Sequence, residues 1–196
     1  MTQHHIVVKP KLLPASVPWM ISPSAPYLSV QPARAGSSAT AIFIGYFRLD
    51  DTGVTTTSGS IAQYVPQPPR FVPTPITVPA PYRLVRITFQ GAKYTRICPA
   101  VSDQQIFSEE QYDWSAIPGA RIPGESIEET VRRRKIWWLE TGLAPDSRVY
   151  EVSNSPWIAE LEGDSIGCRH YILSGNDEYV EIVAKGWSWE PGQPVT

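Results

Sequence analysis

Hydrophobic and polar positions follow three different patterns along this chain. From Ala41 to Leu49 the run AIFIGYFRL is almost continuously β-branched, aromatic or aliphatic, and Asp50-Asp51-Thr52-Gly53 follows it with turn chemistry before VTTTSGSIAQYV. This pattern predicts a strand, a turn and a second strand. The segments RLVRITFQ (83–90) and KYTRIC (93–98) flank Gly91-Ala92. Glycine first in a two-residue loop predicts a type II′ hairpin whose twist matches that of its strands. That register sets Phe89 opposite Tyr94 and Val85 opposite Cys98. Val85, Ile87, Phe89, Tyr94 and Cys98 then share one face, with Cys98 in the core.

A helical pattern emerges only later. Ser126-x-x-Glu129 forms a capping box after Pro123-Gly124, and Gly142 closes ESIEETVRRRKIWWLETG, so one main helix is predicted over about 126–141. At 3.6 residues per turn, Ile127, Val131 and Trp138 form its core stripe, with the Arg134 stem alongside. A short second helix is predicted from Ser155, with Pro156 at its first position. Strands are predicted at Arg148 to Val152, Arg169 to Leu173 and Glu178 to Ala184, before a final run, WSW.

Proline interrupts the first half: 14 of the 20 prolines lie in residues 1–100. Each fixes φ and removes a backbone donor, so residues 6–35 can be neither a helix nor a central strand. They are predicted to form an extended arm over 1–35. Its Trp19, Ile21, Tyr27 and Val30 make it too apolar for a solvated linker, so it must lie on an apolar partner surface outside its own domain. The remaining chain divides into a β-rich part (36–105) and an α+β part (106–196), packed together as one domain. A second proline cluster, VPQPPRFVPTPITVPAPY from Val65 to Tyr82, reads as a rigid crossing between strands, with a PxxP-type ligand as the sharper alternative.

Composition narrows the classes. With 42% hydrophobic and 11% aromatic residues among 196, the chain carries enough apolar material for a core. A net charge of −2 lacks the basic excess expected of a phosphate-neutralising protein, so nucleic acid is an unfavoured partner. No apolar run reaches the roughly 18 residues that span a bilayer, and the proline-broken N-terminus has no long apolar leader core. The expectation is a soluble protein, cytoplasmic or part of a virion. Two cysteines, Cys98 and Cys168, build neither a disulfide scaffold nor a cysteine metal cage, and a reducing compartment is the default.

Candidate chemistry is sparse. Arg132-Arg133-Arg134-Lys135 followed by Trp137-Trp138 is the one run that suggests nucleic acid. On a helix, however, the four cations encircle the axis, and Glu128 to Arg132 and Glu129 to Arg133 are favourable i,i+4 pairs. Cys168 and His170 share a strand face, but their parallel side chains do not converge as a nucleophile and base must. His4-His5 cannot alone supply the three or four convergent ligands of a metal site. Glu109, Glu110, Asp113 and Asp164 show no paired acid and base arrangement. No metal, cofactor or catalytic residue is assigned. Trp157, Tyr179, Trp187 and Trp189 are core aromatics by strand alternation, or an aromatic surface for a glycan or for the proline-rich arm itself.

Together these features predict an α+β, β-rich protein of antiparallel sheets with one main helix, a short second helix and an extended proline-rich N-terminal arm. The functional expectation is a non-catalytic structural or interaction subunit of a large assembly, such as a virion or another multi-subunit particle. Its partners would be other protein subunits, including copies of itself, attached through the arm. The alternatives are a binding module for glycan or nucleic acid and an enzyme using Cys168 and His170.

Overall fold

The computed structural model describes residues 9–22, 28–33, 37–47, 70–77, 80–101, 106–161 and 165–195. The strands are β1 (Lys11–Pro14), β2 (Trp19–Ile21), β3 (Leu28–Gln31), β4 (Ala39–Phe47), β5 (Tyr82–Gln90), β6 (Tyr94–Pro99), β7 (Val149–Ser153), β8 (Arg169–Ser174), β9 (Glu178–Ala184) and β10 (Gly186–Pro194). The helices are α1 (Ile127–Thr141) and α2 (Pro156–Glu160). One sheet has the order β1-β7-β8-β9-β6; the other is β10-β5-β4-β2, with β3 also on β4. The strand pairs are antiparallel. The fold is α+β and β-rich, with one main helix.

Alternating side chains turn both sheets toward a shared core. Ala39, Ala41, Phe43, Val85, Ile87 and Phe89 come from β4 and β5; Tyr171, Leu173, Val180 and Ile182 come from β8 and β9. Phe89 and Tyr171 meet across the sheets with ring centroids 5.5 Å apart. Each side chain of this size contributes roughly 1.5–3 kcal/mol by leaving water. Outer faces are covered too: Phe71 packs with Ile44 and Leu84, while Phe107 and Ile117 pack with Leu12, Tyr150 and Ile172.

The 83–98 hairpin is corrected. β5 pairs with β4 and β10, whereas β6 pairs with β9 in the other sheet. Gly91, at φ 58°, carries the chain around the corner between sheets, where Lys185 N–H donates to Gln90 O and Lys93 N–H to Val183 O. Phe89 therefore faces Ala39 and Trp187, and Tyr94 faces Val183. Val85, Ile87 and Phe89 do point to the core, but Cys98, on the edge strand β6, is only half-buried and pairs with Tyr179. Residues 54–65, the expected partner of the 41–49 strand, lie outside the described residues.

The arm is corrected as well. Its described part is extended, and its strands sit on sheet edges, as proline requires: β1 on β7, and β2 and β3 on β4. Yet Trp19 and Ile21 are fully buried in the chain's own core, and Val30 packs against it. The apolar surface that seemed to need a foreign partner is covered by the two sheets. Tyr27 lies outside the described residues. Of the second proline cluster, Phe71 to Pro75 runs beside β10, with Pro73 bridging Gly192 and Thr74 N–H donating to Pro191 O.

Candidate functional site

Helix α1 departs from the compact pattern. Its ends form as the sequence prescribes: Ser126 Oγ accepts from Glu129 N–H, Glu129 accepts from Ser126 N–H, and Gly142 closes the helix at φ 69°. The core stripe does not form. Only Thr130 and Trp138 are buried, Trp138 meeting Tyr46 of β4 edge-on at 5.7 Å. Ile127 is 73% exposed, Val131 58%, Leu139 49% and Ile136 44%. Four apolar side chains thus lie on the outside of the helix, interleaved with Glu128, Arg132 and Lys135, with Ile122 at 52% exposure in the loop before it.

The expected i,i+4 ion pairs are replaced by tertiary ones. Arg133 reaches Glu125 (Nη2 to Oε2, 2.8 Å) and also donates to the carbonyls of Pro118 and Ala120. Arg134 Nε donates to Gly119 O at 2.6 Å. These two guanidinium groups clamp the loop 118–125 under the helix, and the Arg133 hydrogen bonds hold the Glu125 carboxyl down at about 2. Glu129 is engaged in the capping box. Glu128 and Arg132 form no salt bridge among the described residues. Half of the basic run is therefore structural, which leaves fewer cations for phosphate than its sequence suggests.

A second cluster lies on the outer face of the β1–β6 sheet. His170 is buried, with Nδ1 2.9 Å from Ser155 Oγ and Nε2 3.3 Å from Glu181 Oε1, the latter without hydrogen-bond alignment. Glu181 pairs with Arg96 at 3.0 Å, and Arg96 stacks 3.6 Å over the Trp157 ring. A serine, a histidine and a carboxylate in contact are the ingredients of nucleophilic catalysis. Here each has a packing role. Ser155 caps α2 by accepting from Ile158 N–H, and Trp157 lies edge-on to His170 at 5.2 Å, covering it. The ring nitrogens of His170 face Ser155 and Glu181 rather than Cys168, so the Cys168–His170 pair is not assembled. Sequence reasoning missed this cluster because Arg96 meets Glu181 only through the β6–β9 pairing, which the hairpin expectation displaced.

A groove of about 830 Å³ runs between the 106–121 loop, Arg134 of α1 and the start of β7. Glu109 and Glu110 line it together with Asp146, Arg121 and Arg148. Burial, then the Asp146 charge, raises the Glu109 carboxyl above its ordinary range. Asp146 Oδ1 accepts from Tyr150 OH at 2.8 Å and from Arg148 N–H at 3.1 Å, holding Arg148 at φ 61°. Asp113 is elsewhere, 3.9 Å from Lys11, and Asp164 and His4-His5 lie outside the described residues.

The four candidate aromatics do not form one surface. Trp189 meets Trp19 at 5.6 Å and Phe47 at 6.3 Å, and Trp187 lines a cavity of about 170 Å³ whose other wall includes residues 13–16. Trp189 thus receives Trp19 from the proline-rich arm of its own chain. Tyr179 packs on Phe107 at 5.7 Å, and Trp157 belongs to the His170 cluster. Among the described residues no group of three or more His, Cys, Asp or Glu side chains could hold a metal, and no helix is long and apolar enough to cross a membrane. Compared with protein families, curated proteins and solved structures, the chain matches none.

Proposed function

We propose that this chain is a non-catalytic interaction subunit of a multi-protein assembly, such as a virion or another multi-subunit particle, and that it attaches through α1. One observation carries the reading: a 15-residue helix buries two side chains and presents Ile127, Val131, Ile136 and Leu139 to solvent. Isolated helices of this length are marginal in water, and amphipathic helices normally turn their apolar side to the core. Contiguous exposed apolar patches mark interaction sites. The proline-rich arm, the attachment expected from sequence, is engaged by the chain's own sheets instead.

The test is incorporation. Particles isolated from the source should contain the wild-type chain, and Val131→Asp or Leu139→Asp should release it while leaving the isolated chain folded by circular dichroism. Normal incorporation of both variants would defeat the reading. A hydrolase reading is tested separately, by a serine-directed fluorophosphonate probe: labelling of the wild-type chain that Ser155→Ala abolishes would replace the structural role of that cluster.

A further inference from the structure

We infer that the groove beside the 106–121 loop binds a neutral saccharide, at a site separate from the attachment face of α1. Its volume of about 830 Å³ falls within the roughly 300–1,000 Å³ of ligand sites. Phe107 and Trp114, stacked with ring centroids 5.8 Å apart, give it an aromatic wall. Three arginines, Arg121, Arg134 and Arg148, and three acids, Glu109, Glu110 and Asp146, also line it, so its formal charge balances. Neither Glu109 nor Asp146 forms a salt bridge among the described residues. The Glu109 carboxylate takes no hydrogen bond among them either, and Asp146 accepts through Oδ1 alone. On the donor side, Arg148 uses Nη1 on Gly175 O and Asn176 Oδ1, and Arg134 uses Nε on Gly119 O. Arg148 Nη2 and both Nη groups of Arg134 make no hydrogen bond among the described residues.

This mixture of unused donors and acceptors selects the ligand. A hydroxyl group both donates and accepts, so a polyol gives its protons to Glu109 and Asp146 while accepting from Arg134 and Arg148. Hydrogen bonds with one charged partner are the strong ones. The C–H face of a pyranose ring is apolar and packs on aromatic rings, which the Phe107–Trp114 wall supplies. An anion fits less well, because the three acids share the groove with the arginines. Partial burial and the Asp146 charge already raise the Glu109 carboxyl, so a further negative charge is repelled while a hydroxyl donor is welcome. A zwitterionic dipeptide is the competing occupant, since its two charged ends would divide between the acids and the arginines. The exposed ridge of α1 formed by Ile127, Val131 and Leu139 lines no part of the groove, so the two surfaces are judged separately.

Labelled full-length chain applied to an array of neutral, sialylated and sulfated oligosaccharides, with glycylglycine titrated in parallel, reads the preference. The chain should retain neutral oligosaccharides, and the best of them should change its tryptophan fluorescence with a dissociation constant on the order of 100 µM. Glu109→Ala should weaken that binding at least about fivefold with an unchanged circular dichroism spectrum, because the carboxylate holds no hydrogen bond within the described chain. Trp114→Leu, which keeps apolar bulk beside Phe107, should weaken it as well. Retention of no neutral saccharide would overturn the inference, as would retention of sialylated or sulfated ones alone, tighter binding of glycylglycine, or a saccharide affinity that both variants leave unchanged. None of these would by itself defeat attachment through α1, which is judged by incorporation into the particle.

Discussion

Strand β4 buries Ala39, Ala41, Phe43, Ile44 and Phe47 within nine residues, while α1 buries Thr130 and Trp138 within fifteen. The two regions carry similar numbers of apolar side chains, seven in β4 and six in α1, but in opposite dispositions. In the sandwich, both faces of the central strands meet cover, so nearly every apolar side chain contributes to folding. On α1, local interactions make the helix and a single tryptophan docks it. Its remaining apolar side chains stay between 38% and 73% exposed, so they contribute less to the isolated fold than those of β4. Apolar side chains left this exposed are open to an external partner, and that is the basis for proposing attachment through α1.

Substitutions should separate the regions by size of effect. Trp19→Ala removes a fully buried ring that touches Phe43 at 5.1 Å and Trp189 at 5.6 Å, and should destabilise the chain by about 3–5 kcal/mol in urea unfolding. This is the largest expected effect, and it falls in the supposed arm. A loss below about 1 kcal/mol would return the arm to the status of a loosely attached segment. Ser126→Ala removes the side chain that accepts from Glu129 N–H and should cost about 1 kcal/mol, showing that α1 depends on its cap more than on burial.

Acid should act on the clamp beneath α1. The Glu125 carboxyl sits at about 2 against an ordinary 4.5, chiefly through its hydrogen bonds with Arg133. Because the folded value is the lower one, the contribution is fully present above about 4.5 and is lost as pH falls through about 2. Thermal melts between those limits should therefore slope less steeply for Glu125→Gln than for the wild type. Equal slopes would show that the clamp is not coupled to folding. The smallest effect is expected at Val131→Asp, within about 0.5 kcal/mol of wild type, because Val131 lies on the exposed ridge. A larger loss would mean that the ridge belongs to the core after all.

The same contrast decides what the sequence revealed. Both helices, with their capping residues Ser126, Gly142 and Ser155, were legible because a cap is a local hydrogen-bond pattern over three or four residues. Strands β7, β8 and β9 were legible from their apolar runs. Pairing was not: Gly91-Ala92 reads as a hairpin, and only contact with Lys185 and β9 makes it a corner between sheets. The Ile127–Val131–Trp138 stripe was misread for a related reason. Helical spacing places residues on a face, but whether that face meets a sheet depends on tertiary packing, here including the loop 118–125 that Arg133 and Arg134 hold against the helix. The arm was misassigned because proline excludes central strands yet permits edges, and edge strands can still carry core residues such as Trp19. The Ser155–His170–Glu181 contact and the 830 Å³ groove both depend on long-range pairing and left no local signal.

Hydrogen exchange of the chain, isolated and within the particle proposed for it, tests the central claim most directly. Residues 127–141 should exchange readily in the isolated chain, since the helix is held by little more than its caps, the Arg133 and Arg134 clamp and Trp138, and should become strongly protected on assembly. Residues 11–21 should be protected equally in both states, as part of the sandwich. Unchanged exchange across 127–141, with new protection appearing at 11–21, would contradict the account and restore the arm as the point of attachment.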